Sequence, residues 1–171
     1  MATQEERRSS TRKAIVDAAI EAFERHGSPD VPLEQIAQAA GVTKSTIHYH
    51  FSNRAGLLGT VAIRLFREIE ERINDVHAGG SLAAPDYVRA LLAEQSAPVG
   101  RVLFTTGDEL LRMGKSADVD PYRYLRHRLE QLGVGGSAAV KAAAIVEFGR
   151  QLAFGLMAPT DIGSLLHELD L

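Results

Sequence analysis

The sequence predicts an all-α protein, and three observations lead there. Apolar residues recur at three- and four-residue steps from one end to the other. No run alternates apolar and polar residues with β-branched enrichment, the mark of a strand. Glycine, proline and serine clusters cut the 171 residues into segments of helical length.

The first helix is expected over Thr11 to His26, with Ile15, Ala19, Ala22 and Phe23 on one face and Gly27 as its stop. Ser28, Pro29 and Asp30 then make a turn, and Pro32 suits the first turn of a short second helix, Leu33 to Ala40. Gly41 ends it, Val42 returns to the core, and Thr43 caps a third helix over Lys44 to His50. Ser52 or Asn53 caps a long fourth helix from Arg54 to about His77, in which Leu58, Val61, Leu65, Ile69, Ile73 and Val76 share a face. Gly79, Gly80 and Ser81 break it. Further helices are expected over Pro85 to Gln95, Val99 to Lys115, Pro121 to Leu132, Ser137 to Met157 and Asp161 to Leu169.

Composition narrows the function. A 45% apolar content with 24% charged residues suits a folded core. The longest apolar run, Ala142 to Val146, stops at Glu147, far short of the ~18 residues of a membrane span. The opening residues lack the apolar stretch of a secretory signal, so a soluble, cytoplasmic chain is expected, with no membrane partner. The absence of cysteine excludes disulfides, thiolate metal sites and a thiol nucleophile. A net charge of −3 argues against coating nucleic acid by bulk charge. Locally the balance differs. Residues 1–56 hold seven basic and seven acidic residues, four of the basic ones between Arg7 and Lys13, and residues 35–58 contain Lys44 and Arg54 but no acid.

Residues 33–51, LEQIAQAAGVTKSTIHYHF, have the spacing of a helix-turn-helix. Ala37 and Ala40 are small where two helices cross, Gly41 tolerates the left-handed turn, and Leu33, Ile36, Val42, Ile47 and Phe51 supply a shared core. With Ile47 and Phe51 inward, Lys44, Ser45, Thr46, His48 and Tyr49 face outward as a small polar surface suited to base edges and phosphates. His48 and His50 invite a metal reading, but on a helix they point about 200° apart and cannot grip one ion. Asp118 and Asp120 read as turn and cap residues. No cofactor, metal or catalytic motif is present: H-E-x-x-H, a Walker loop and G-x-S-x-G are all missing, so an enzyme is not expected.

The stretch AAGVTKSTIHYHFSNRAGLL, preceded by IVDAAIEAFERHG and LEQIA, resembles the N-terminal domain of the tetracycline-repressor (TetR) family of bacterial transcriptional regulators. The resemblance covers about residues 10–60 and implies a DNA-binding domain over 1–53, with a helical effector-binding and dimerisation domain over 54–171. It implies base reading by Lys44, Ser45 and His48, and phosphate contacts by Thr43, Thr46, Tyr49, His50 and Arg54. Three positions depart from the family pattern. His48 replaces the usual Tyr, which alters operator preference or makes affinity sensitive to mild acid. Pro32 replaces a common Thr, so another cap must start the second helix. Ala55 and Gly56 replace acidic residues, which predicts a looser first turn in the fourth helix.

A helix-turn-helix monomer reads one half-site, so a homodimer on a pseudo-palindromic double-stranded operator is expected. The candidate interface lies on the last two helices: Ile145, Phe148, Gly149, Leu152 and Leu156, then Ile162, Leu165, Leu166 and Leu169. Phe104, Thr106, Leu110 and Met113, with Tyr122, Leu125 and Leu129, are candidates to line a cavity for an apolar or weakly aromatic small-molecule effector. The function expected is a ligand-released repressor. The competing reading is an architectural DNA binder without an effector. Arg7, Arg8, Arg12 and Lys13 fit a DNA-contacting arm or an ordinary solvated terminus equally well.

Overall fold

The computed structural model describes residues 3–76, 87, 90, 91, 93, 94, 97–113, 127, 129–131 and 133. All regular structure among them is helical: α1 (Gln4–His26), α2 (Leu33–Ala39), α3 (Lys44–Phe51), α4 (Arg54–Val76) and α5 (Pro98–Arg112). Among the described residues no helix is long and apolar enough to cross a membrane. The chain divides into two compact units, Met1–Leu65 with Arg101–Asp120, and Phe66–Gly100 with Pro121–Leu171.

Helix α1 starts two turns earlier than the apolar periodicity predicts. Its start is set by a reciprocal cap, in which the Thr3 hydroxyl accepts from the Glu6 amide at 3.2 Å and the Glu6 carboxylate accepts from the Thr3 amide at 2.6 Å. Polar QEERRSS therefore joins the helix, which places the exposed Arg8 and Arg12 on α1 one turn apart. Ile15, Ala19 and Phe23 are fully buried, along with Val31 of the following turn.

Pro32 is not within α2 but immediately before it, with ψ at 138° and no side-chain cap. Its carbonyl accepts from the amides of Gln35 and Ile36, so backbone alone starts this helix. Gly41 adopts φ 67°, and the Val42 amide reaches back to the Ala37 carbonyl at 2.9 Å, which turns the chain into α3. At that left-handed turn a Cβ would strain the backbone without meeting any neighbour.

Ile36, Ile47, Phe51, Leu57, Leu58, Val61 and Leu65 complete the core beneath α2 and α3. The α3–α4 connection is tight. Ser52 takes φ 62° and ψ −51°, and the Asn53 amide donates to the Phe51 carbonyl at 2.6 Å. This is a γ-turn of the strained hand, a conformation that costs roughly 1–3 kcal/mol. The Asn53 side chain then accepts from the Gly56 amide at 2.9 Å and caps α4. The looser first turn expected at Ala55 and Gly56 is not found: Ala55 is buried, and a Cβ at Gly56 would collide with the Phe51 carbonyl. Glycine is there because α4 begins against the end of α3.

In α5, Val102, Leu103, Phe104 and Leu110 are buried together with the polar Thr106. In the second unit, Leu91 and Leu129 are fully buried, Tyr87 donates its hydroxyl hydrogen to Glu70 at 3.1 Å, and Arg72 lies 2.6 Å from Glu94 and 3.5 Å from Glu68.

Candidate nucleic-acid interface

Helix α3 is held from below and open above. Ile47 and Phe51 are 1% and 4% exposed, one turn apart on the inner side. Thr43, Lys44, Ser45, His48 and Tyr49 are exposed, while Thr46 and His50 are half-buried. Tyr49 stands furthest out, at 70% exposure, the one large apolar side chain among the described residues that is exposed. Of the five residues expected to face outward, Lys44, Ser45, His48 and Tyr49 are exposed, and Thr46 is only half so.

At its N-terminal end the Thr43 hydroxyl accepts from the Thr46 amide at 3.2 Å and sits 2.9 Å from the hydroxyls of both Ser45 and Thr46. Three hydroxyls are therefore fixed in one cluster. Lys44 reaches across the turn to Glu34 of α2, with Nζ 2.6 Å from Oε1. The hydrogen bond from Lys44 is the first of the causes that hold the Glu34 carboxyl below its ordinary value. His48 places Nδ1 3.3 Å from the Ser52 carbonyl oxygen.

The C-terminal end of α3 is braced by α1. Arg12 donates to the His50 carbonyl at 2.6 Å and to the Thr60 hydroxyl at 3.2 Å, with its guanidinium 4.5 Å from the Phe51 ring centre. Arg8, one turn earlier, lies 5.7 Å from the Tyr49 ring centre, within cation–π range. Burial first, and then the Arg8 and Arg12 charges, push the His50 imidazole below its ordinary pKa. Lys13 is paired instead with Asp17 on its own helix at 2.6 Å. The sequence left the Arg7–Lys13 cluster open between an arm and a solvated terminus; two of its members lie on aromatic residues of α3.

Arg54 is placed differently from a side chain awaiting a phosphate. Its guanidinium donates to the carbonyls of Val31, at 2.7 Å, and Pro29, with the Asp30 carboxylate 3.9 Å away. It ties the α1–α2 turn to the start of α4.

Of the residues expected at an effector, Phe104, Thr106, Leu110 and Leu129 are buried and Met113 is partly exposed. The Thr106 hydroxyl has no hydrogen-bond partner among the described residues, although it is fully buried. Tyr122 and Leu125, and the expected dimer residues Ile145, Phe148, Gly149, Leu152, Leu156, Ile162, Leu165, Leu166 and Leu169, lie outside the described residues.

A short helix crossing a second one over a glycine turn, with a polar face outward, defines a helix-turn-helix protein. Residues 15–61 match the family described as bacterial regulatory proteins, tetR family. Over 51 residues the chain is 45% identical to the uncharacterized HTH-type transcriptional regulator TtgW of Pseudomonas putida, covering 30% of this chain and 38% of that one. The chain thus spans well under half the length of that relative. Solved structures are similar to this chain in fold, and two of them serve as examples. One, from Rhodococcus sp. RHA1, has a TM-score of 0.66 at 21% identity over 94% of this chain and 95% of its own. The other, the multidrug binding protein EbrR complexed with imidazole, has a TM-score of 0.63 at 16% identity over 92% and 98%. Over residues 15–61 the chain is thus similar to the helix-turn-helix regulators of the tetR family.

Proposed function

We propose that this protein is a ligand-responsive repressor that binds a pseudo-palindromic operator as a homodimer and leaves it when a small-molecule effector binds. The observation that carries the reading is the exposed face of α3, a polar surface backed by buried Ile47 and Phe51 and braced by α1. Lys44, Ser45 and His48 read base edges. Thr43, Thr46, Tyr49 and His50 meet phosphates, and Arg8 extends that strip from α1. Arg54 serves the same surface from behind, by fixing the turn that precedes α2. Residues 1–53 form the DNA-binding domain and residues 54–171 the effector and dimerisation domain.

The effector meets α5 at Phe104, Thr106 and Leu110, with Met113 just beyond it. A buried hydroxyl without a partner normally costs about 1–3 kcal/mol, and a ligand acceptor or donor would remove that penalty. An apolar or weakly aromatic molecule carrying one polar group fits those residues. EbrR, which shares the fold, holds imidazole. Pairing through Ile145 to Leu156 and Ile162 to Leu169 sets two α3 helices at the ~34–36 Å that successive major grooves require. Movement of α4 on effector binding spoils that spacing, and a tenfold loss of affinity needs only about 1.4 kcal/mol of coupling. Such a regulator works in the cytoplasm, with the DNA.

Selection of genomic fragments by the purified protein at fixed salt tests this. Enrichment of a two-fold-related sequence supports an operator-binding dimer. Recovery of random fragments, with affinity set by salt alone, supports the architectural reading instead.

A further inference from the structure

The ion pair between Glu34 and Lys44 is a feature that the expected DNA contacts leave unexplained. Glu34 stands in the first turn of α2 and Lys44 opens α3, and the two side chains meet across the turn while remaining 63% and 49% exposed. An exposed pair of this kind adds little to folding stability. On a surface that approaches a polyanion it is unfavourable, because the carboxylate repels phosphates and occupies an ammonium that would otherwise neutralise one. Glu34 is also the last acid before residues 35–58, which carry none. Its carboxylate feels His48, on the next turn of α3, as well as Lys44. Glu34 therefore pairs with one of the three side chains assigned to base reading.

We propose that Glu34 is a specificity-determining residue, whose carboxylate holds the Lys44 ammonium back from phosphates and toward base edges; this rests on the assignment of α3 to the major groove. A lysine on its four-carbon stem finds any phosphate within reach and so strengthens binding to every sequence. Held by Glu34, it is released only where base acceptors such as guanine O6 and N7 stand in the right place. Random DNA offers no such exchange, so the acid penalises non-operator complexes most.

The test compares wild type, Glu34→Gln, Lys44→Ala and the double variant in selections from a randomised half-site, with salt titrations on a random-sequence duplex. Glu34→Gln is expected to lower discrimination at one base pair by about fivefold or more. It also raises affinity for random duplex and steepens the slope of log K against log salt by about one. The thermal midpoint stays at the wild-type value, and in the Lys44→Ala background Glu34→Gln changes no base preference. The proposal is overturned if Glu34→Gln strengthens binding to all sequences alike with preference intact, which is simple charge repulsion. A changed preference that persists without Lys44 overturns it equally. If the wild type itself selects no sequence, the operator reading fails first and this inference falls with it.

Discussion

Replacing Arg54 separates a guanidinium that meets phosphate from one that fixes a turn. Its side chain is 22% exposed and donates to the Pro29 and Val31 carbonyls, while its Asp30 partner is 92% exposed and 3.9 Å away. The ion pair is weak at that distance and exposure. Charge-assisted hydrogen bonds are worth about 1.5–3 kcal/mol each, but the two share one side chain and the freed carbonyls regain water, so Arg54→Ala is expected to lose about 2–3 kcal/mol. Lysine can reach one carbonyl and cannot span two, so Arg54→Lys is expected to lose about half of that. Urea unfolding followed by circular dichroism reads both values, with an unchanged slope marking an intact native state. A loss below about 0.5 kcal/mol for alanine, or lysine matching wild type, would refute the assignment, since lysine serves as well as arginine for a simple phosphate charge.

Gly56→Ala should destabilise by about 1–3 kcal/mol in the same assay, because the new Cβ meets the Phe51 main chain; a stabilisation of the size helix propensity alone gives, about 1 kcal/mol, would show that the helices part freely. Tyr49→Phe should weaken binding to all duplexes alike, whereas Lys44→Ala and His48→Ala should change the half-sites selected; identical behaviour of all three would dissolve the division into phosphate and base contacts. His50 has its folded pKa pushed below the ordinary 6.5, so the folded state prefers the neutral ring. Its contribution is present above 6.5 and is lost as pH falls through that value toward the depressed one. His50→Gln should flatten thermal stability between pH 7 and 5 relative to wild type, and an unchanged slope would place the acid sensitivity elsewhere.

The helices and the surface differ in how openly the sequence shows them. Ile15, Ala19 and Phe23 announce α1, and Ala37, Gly41, Val42 and Ile47 announce the crossing of α2 and α3, because periodicity and small residues are local signals. The first two turns of α1 carry no apolar face, so only Thr3 and Glu6 mark them, as a hydroxyl and a carboxylate three residues apart. Gly56 reads as an absent acid; its reason, the Phe51 carbonyl, becomes visible only once the Ser52 turn folds α4 back. Arg12 and Arg54 each donate to main-chain carbonyls, which no side-chain pattern encodes. The exposed positions of α3 were legible from the inward pair Ile47 and Phe51, whereas the contact of Lys44 with Glu34, ten residues back, depends on the angle of the turn.

The most direct measurement is an equilibrium titration of one selected operator and of the same duplex with both half-sites scrambled, at one fixed near-physiological salt. The account predicts two chains per operator and an affinity ratio of about a thousandfold or more. A ratio near one, with both affinities falling together as salt rises, would contradict sequence reading by α3.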